Sequence, residues 1–211
     1  VDACQAVFEQ AVQRQAQMLI VHHGISWGGG IKRITACQSR RLKTLFSADI
    51  SLIAYHLPLD AHPEIGNNAV LAKLLDLQGR VPFFEYDGEP IGFCGILPHA
   101  TNVTTLAQLL EHELGGRCLI LPGKNKHRLV QVGIVSGGGA DAIEECAKLE
   151  LDCLITGEVT HQYVHIAREL GITVIAGGHY ATETTGIKAL QQRIAADFKV
   201  ACEFIDCPTG L

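Results

Sequence analysis

A chain of 211 residues with 47% apolar and 18% charged positions can bury one large core or two small lobes, and it is too apolar to be a disordered tail. A formal net charge of −5 argues against a nucleic-acid surface; Lys124, Lys126, His127 and Arg128 do cluster, but a run that short reads as a solvated hairpin. The eight cysteines (Cys4, Cys37, Cys94, Cys118, Cys146, Cys153, Cys202, Cys207) form no Cys-x-x-Cys pair, which excludes zinc-ribbon and thioredoxin readings. Several lie in apolar runs and read as buried small hydrophobes of a reduced, cytoplasmic protein. No apolar run approaches the ~20 residues needed to span a bilayer, and no signal peptide is read, so no membrane partner is expected. The first residue is Val and falls almost inside a helix, so the chain is expected to lack its native start.

Residues 2–16 read as a helix, with Ala3, Val7 and Ala11 on one face and Asp2 as its cap. Residues 17–21 form a short apolar strand that ends in His22-His23-Gly24. Neighbouring side chains on a regular strand point to opposite faces, so two useful histidines in a row suit a strand end that can aim both rings into one cleft. Neutral imidazole is a ligand for Zn, Fe, Ni and Cu. The glycine-rich stretch Trp27-Gly28-Gly29-Gly30 reads either as a lid beside that pair or as a plain connection. A helix follows over 34–47, then the strand-like Ser51-Leu52-Ile53-Ala54, and then His56-x-x-x-Asp60.

A helix is expected over 66–77, ended by Gly79. Residues 81–86 and 90–97, joined through Asp87-Gly88, read as a β-hairpin. A helix over 104–114 and strands over 117–121 and 128–135 complete a central region with few candidate ligands; His99, His112 and His127 are assigned to the surface. The turn Ser136-Gly137-Gly138-Gly139-Ala140-Asp141 opens a helix to Leu149. It reads either as a weak phosphate cradle or as a tight strand-to-helix turn. Strand 151–156 leads to Gly157-Glu158 and His161, then a helix over 162–170. Strand 172–176 leads to His179-x-x-x-Glu183, a helix over 182–197 and a closing strand over 199–205.

The two halves share a pattern of strand, site residues and helix, twice over. This reads as an internal duplication. The expected fold is α/β, with two similar lobes at 1–78 and 128–211, the central hairpin and helix segment at 79–127, and a cleft between the lobes. His, Asp and Glu then stand at the ends of adjacent strands, where open α/β sheets bind ligands.

At His22-His23-Gly24, Tyr55-His56-Leu57-Pro58-Leu59-Asp60-Ala61, Thr156-Gly157-Glu158 and Gly178-His179-x-x-x-Glu183, the chain resembles the NIF-three-like family, also labelled GTP cyclohydrolase I type 2 homologues. The match runs in order over nearly the whole chain. It implies two similar α/β lobes, a dinuclear metal site in the cleft, and a toroidal homohexamer. It implies metal ligands at His22, His23, Asp60, His179 and Glu183, with His56, Glu158 and His161 beside the metals. The usual segment before the first helix and the long central insertion of some members are missing, which suggests a compact, bacterial-type version.

Such a mixed N/O ligand set suits two divalent ions ~3.5–4 Å apart, and Fe, Mn, Zn or Ni over Mg or Ca. Hydrolysis by activated water is the natural reaction class, with Glu158 or His161 as general base or acid. A purine nucleotide such as GTP is suggested as substrate by the family label alone; the cysteine-containing zinc site of a true GTP cyclohydrolase I is missing. The alternatives are a non-enzymatic metal scaffold or metal donor for cofactor assembly, and a nucleotide-binding module using residues 136–141.

Overall fold

The computed structural model of the chain describes residues 1–26, 30–125 and 127–210. The lid or connection reading at Trp27, Gly28 and Gly29, and the basic Lys126, lie outside the described residues. The first part of the chain alternates helix and strand: α1 (Gln5–Gln13), β1 (Met18–Val21), α2 (Ala36–Ser47), β2 (Ser51–Ala54), the single turn α3 (Leu57–Asp60) and α4 (Asn67–Leu74). β1 and β2 pair in parallel, with Val21 beside Ala54, so both strands run out at one edge. Ala3, Val7 and Ala11 are buried as their spacing predicts, and with Phe8 they pack on Leu19, Val21 and Ile50. Asp2 does not cap α1. Cys4 occupies the cap position, and the Asp2 side chain turns instead to His23.

The hairpin consists of β3 (Gln78–Tyr86) and β4 (Glu89–Thr101). Tyr86 pairs with Glu89, leaving Asp87-Gly88 as a two-residue loop with φ of 51° and 83°. Two positive φ values in a row are what a type I′ hairpin turn requires. α4 closes before the expected stop, and Gly79 lies inside β3. α5 (Val103–Leu114) is capped by Asn102, whose side chain accepts from Thr105 N at 2.9 Å, and ends at a left-handed Gly115. Then come β5 (Leu119–Leu121), β6 (Leu129–Val135), a 3₁₀ turn at Gly139–Ala142, α6 (Ile143–Lys148), β7 (Cys153–Thr156), α7 (His161–Leu170), β8 (Thr173–Ala176) and α8 (His179–Phe198).

These strands form one six-stranded sheet in the order β3-β4-β6-β7-β8-β5, so the hairpin is hydrogen-bonded to the same sheet as β6. β6, β7 and β8 are mutually parallel. Every residue of β7 and β8 is buried, because helices cover both faces. Val132, Ile134, Ile155 and Ile175 pack with Leu71 of α4 and Leu110 of α5. Val135, Leu154 and Val174 point the other way, onto Ile143 of α6 and Ala167 of α7.

Two expectations fail near the end of the chain. α8 begins at His179, three residues before the expected start, so His-x-x-x-Glu is helical from its first residue. The expected strand over 199–205 is not formed. Lys199 ends α8 at φ 56°, and side chains hold the segment beyond it. Gln191 Nε2 donates to Cys202 O (2.9 Å), Tyr180 Oη donates to Asp206 Oδ1 (2.8 Å), and Cys207 N donates to Tyr180 Oη (2.7 Å). The apolar spacing there reflects packing of Ile205 and Cys207 on the α1–β1 core, not a strand ladder. Among the described residues, no helix is long and apolar enough to cross a membrane.

Candidate functional site

β1 runs out into His22 and His23, whose backbone N–H groups both donate to Val1 O, at 2.9 and 3.0 Å. Two consecutive amides sharing one acceptor break the strand alternation. Both rings therefore enter one cleft, with centroids 4.8 Å apart. His56, just beyond β2, stands edge-on to both, at 4.8 Å from His22 and 5.2 Å from His23. Asp60 closes α3 beside them. From the second half of the chain, α8 contributes His179 and Glu183, one turn apart on one face, with His179 Nε2 3.2 Å from Glu183 Oε1. The His23 and His179 rings lie 5.4 Å apart, so the two halves meet here.

Two carboxylates stand among these imidazoles. Glu183 Oε1 is 3.6 Å from His22 Nε2, and Glu183 Oε2 is 3.2 Å from His23 Nε2. Asp60 Oδ2 is 3.4 Å from His22 Nε2. The residues are buried, with His22 at 0%, His23 at 5%, Asp60 at 6% and Glu183 at 3% exposure. Three of these histidines are held from outside at Nδ1: His22 by Tyr55 O (2.9 Å), His23 by Asp2 Oδ1 (2.7 Å), and His179 by Glu158 Oε1 (3.2 Å). Their Nε2 atoms all face the carboxylates. At the centre, His22 Nε2 and Glu183 Oε2 are buried and make no hydrogen bond of good geometry; what they have are the ion-pair contacts to Asp60 Oδ2 at 3.4 Å and to His23 Nε2 at 3.2 Å. Buried polar atoms are otherwise nearly always paired, so these two are poised for a group that supplies positive charge. Among the described residues, two triads have ligand atoms within 4.8 Å of one another: His22, His23 and His56, and His23, His179 and Glu183.

The charge balance agrees. Burial alone would lower the pKa of His22, but Asp60 and Glu183 outweigh it and raise it to about 10. Burial likewise opposes, and Asp2 and Glu183 reverse, the shift of His23, which ends raised. The Glu183 carboxylate, against burial, raises His179 to about 9. Burial would raise Glu183, yet its three histidine partners hold it well below the usual carboxylate range. His56 is pushed down, by burial first and then by His22. A metal cation entering this centre would have to displace imidazole protons.

A buried polar frame behind the cleft was not legible in the sequence. Asn67 Nδ2 donates to Asp60 Oδ1 (2.8 Å), which also accepts from Ser136 Oγ (3.3 Å), so only Oδ2 is left facing His22. Asn68 Oδ1 accepts from Ser136 N (2.7 Å), and Thr182 Oγ1 accepts from Gly137 N (3.1 Å). These first two amides of the glycine-rich turn are therefore engaged within the frame rather than offered to a phosphate. The available signal was Asn67-Asn68 directly after Gly66, two polar residues opening a helix whose next four residues are apolar.

Of the three residues expected beside the ligands, His56 lines a pocket of about 360 Å³ with His22 and His23, walled by Ile25, Leu52 and Ala54. Glu158 lies against His179, with its side chain 44% exposed. His161 is exposed at the start of α7, its ring edge-on to His165 at 6.0 Å. The structure thus brings His22, His23, His56, Asp60, Glu158, His179 and Glu183 together, while His161 packs with its own helix.

A mixed α/β fold whose strand ends converge on a buried cluster of histidines and carboxylates defines the class of protein. The family model Duf34/NIF3 (NGG1p interacting factor 3) matches residues 1–209, and the chain belongs to that family. It is 46% identical to a GTP cyclohydrolase 1 type 2 homolog of Pyrococcus horikoshii, over all of this chain and 84% of that protein. Among solved structures, it is similar to ybgI, a protein of unknown function (39% identity, TM-score 0.92, 100% of this chain and 83% of that one). It is also similar to TTHA1606 from Thermus thermophilus (39% identity, TM-score 0.89, with the same coverage).

Proposed function

We propose that the chain binds two divalent metal ions in this cleft and is a metal-dependent hydrolase acting on a small molecule, with a purine nucleotide such as GTP as the first candidate. The observation that carries the reading is the pair of buried atoms without a hydrogen bond of good geometry, His22 Nε2 and Glu183 Oε2, in a cluster whose outer atoms, His22 Nδ1, His23 Nδ1 and Asp60 Oδ1, are held from outside. The residues fit the group. His22, His23, Asp60, His179 and Glu183 would hold the ions, with Glu183 standing among all three histidines, Oε1 toward His22 and His179 and Oε2 toward His23. The donor set favours Fe, Mn, Zn or Ni. Such a pair supplies Lewis acidity and activates water for hydrolysis.

The remaining steps fall to the chain's own residues. Glu158 is half-exposed, so its carboxylate can move a proton between solvent and the cleft. His161, at the start of α7, is the second candidate acid or base. His56 and the apolar wall of Leu52 and Ala54 orient the substrate at the mouth. The two-lobed reading rests on the parallel pairs β1–β2 and β7–β8, each of which ends in site residues. The homohexamer follows the family resemblance, and large apolar side chains left exposed, Phe46 at 77% and Phe198 at 72%, suit contacts between copies.

The test is elemental analysis of protein purified without chelator, followed by a nucleotide hydrolysis screen with the metal found. Two ions per chain and turnover support the reading. No bound metal overturns it. Metal without turnover, with transfer to an acceptor protein, replaces it with the metal-donor reading.

A further inference from the structure

Asp2 is not among the residues that would ligate metal, yet it is built into the site. Ala3 N donates to His23 O (2.9 Å) while His22 N and His23 N donate to Val1 O, so the backbone at residues 1–3 is laid along the end of β1. That bridge seats Asp2 beside His23, with Oδ1 2.7 Å from Nδ1. A carboxylate has no proton to give at neutral pH, so the hydrogen in this contact belongs to Nδ1. Glu183 Oε2 stands farther off, 3.2 Å from Nε2, so a neutral ring keeps its one proton at the shorter Asp2 contact and turns the Nε2 lone pair toward the cleft.

We infer that Asp2 is a positioning residue that fixes His23 as the Nδ1–H tautomer and so makes Nε2 the ligating atom. The three histidines differ in how they are held. His22 leans on a backbone carbonyl that mutation cannot remove, and His179 on a Glu158 side chain that is 44% exposed. His23 depends on Asp2, whose side chain is 31% exposed and tied to the backbone bridge. His23 is also the residue common to both candidate triads. Outer-sphere carboxylates of this kind typically change metal affinity ~10–100-fold when removed.

The inference rests on the metal-site reading for its consequence but not for its geometry, and the experiment separates the two. Asp2→Asn is nearly isosteric, and its amide can donate to Nδ1 and so admit the opposite tautomer. Long-range ¹H–¹⁵N spectra of the metal-free protein, at a pH where the imidazoles are neutral, report the tautomer of His23 directly. Zn²⁺ affinity is measured by competition with a chelator. Wild type should show His23 as Nδ1–H. Asp2→Asn should show the Nε2–H form and bind Zn²⁺ ~10–100-fold more weakly. Asp2→Glu, which restores a carboxylate, should return the Nδ1–H form. An unchanged tautomer in Asp2→Asn, or its failure to return in Asp2→Glu, overturns the role of Asp2. If wild type takes up no Zn²⁺, the metal reading falls, while the tautomers still decide whether Asp2 orients His23.

Discussion

Asn67 joins Asp60 to the helix that carries Glu183. Its Nδ2 donates to Asp60 Oδ1 at 2.8 Å, and its Oδ1 accepts from Gly186 N at 2.8 Å, three residues beyond Glu183. A Cβ at position 186 would lie 2.6 Å from Asn67 Oδ1, so the glycine there is what lets α4 and α8 come this close. One fully buried amide therefore sets the distance between the two carboxylates of the cleft.

Asn67→Ala should strand Asp60 Oδ1 and Gly186 N in a buried setting. A loss of ~1–3 kcal/mol is expected for leaving such groups unsatisfied. Thermal unfolding of the metal-free protein measures it. Metal stoichiometry should fall as well, because Asp60 loses its anchor; a variant with unchanged melting and full metal content would contradict the role given to Asn67.

Gly137 has φ +60°, and a Cβ there would run into Glu183 Oε1. Gly137→Ala should combine the ~1–2 kcal/mol cost of a side chain in left-handed backbone with displacement of Glu183. Gly88 supplies the control: its φ is +83° and the space around it is open. Gly88→Ala should carry the backbone cost alone. Calorimetry and metal analysis of both variants should show metal loss only at position 137.

In chelator-treated protein, Glu183→Gln removes a buried carboxylate that three histidines surround, and breaking such a cluster typically costs ~3–5 kcal/mol. The pH dependence comes from the shifts. Glu183 is lowered from 4.5, so its contribution is present above that value and fades as pH falls below it toward the folded value. His22 and His179 are raised from 6.5 to about 10 and about 9, so theirs is complete below 6.5 and is lost as pH rises through those values. The stability gap between wild type and variant should therefore be widest between about 4.5 and 6.5 and narrow on both sides. Denaturant titrations across this range check it; a gap that grows steadily with pH would refute the assignment.

Glu158→Gln and His161→Ala should keep both metals and the assembly and lose hydrolytic turnover, typically ~10²–10⁴-fold for a general acid or base. Metal analysis, light scattering and rates on a substrate found by screening decide it. Because His161 packs against His165, its variant tests the weaker of the two placements. Unchanged turnover would reduce His161 to a surface residue of α7.

The sequence by itself determined what depends on local spacing. Asp87-Gly88 between two apolar runs specifies a tight hairpin, because such a pair readily takes the two positive φ values of a turn that matches the twist of the strands. The unbroken apolar runs of β7 and β8 specify buried parallel strands, and His22-His23 at a strand end marks a cleft. Tertiary structure alone decided the rest. Asp2 reads equally well as a helix cap, and its pairing with His23 exists only because residues 1–3 are laid along the end of β1. Asn67 is one polar residue among many until Gly186, 119 positions away, comes within reach of its side chain. Glu158 and His161 are three residues apart in the chain, yet one faces His179 and the other its own helix, since α7 starts between them and turns the second away. The segment after Lys199 carries a strand's apolar content without forming one, because Ile205 and Cys207 are needed on the α1–β1 core. Periodicity records which side chains are buried; it does not record which distant partner buries them, and this cleft is made of such partners.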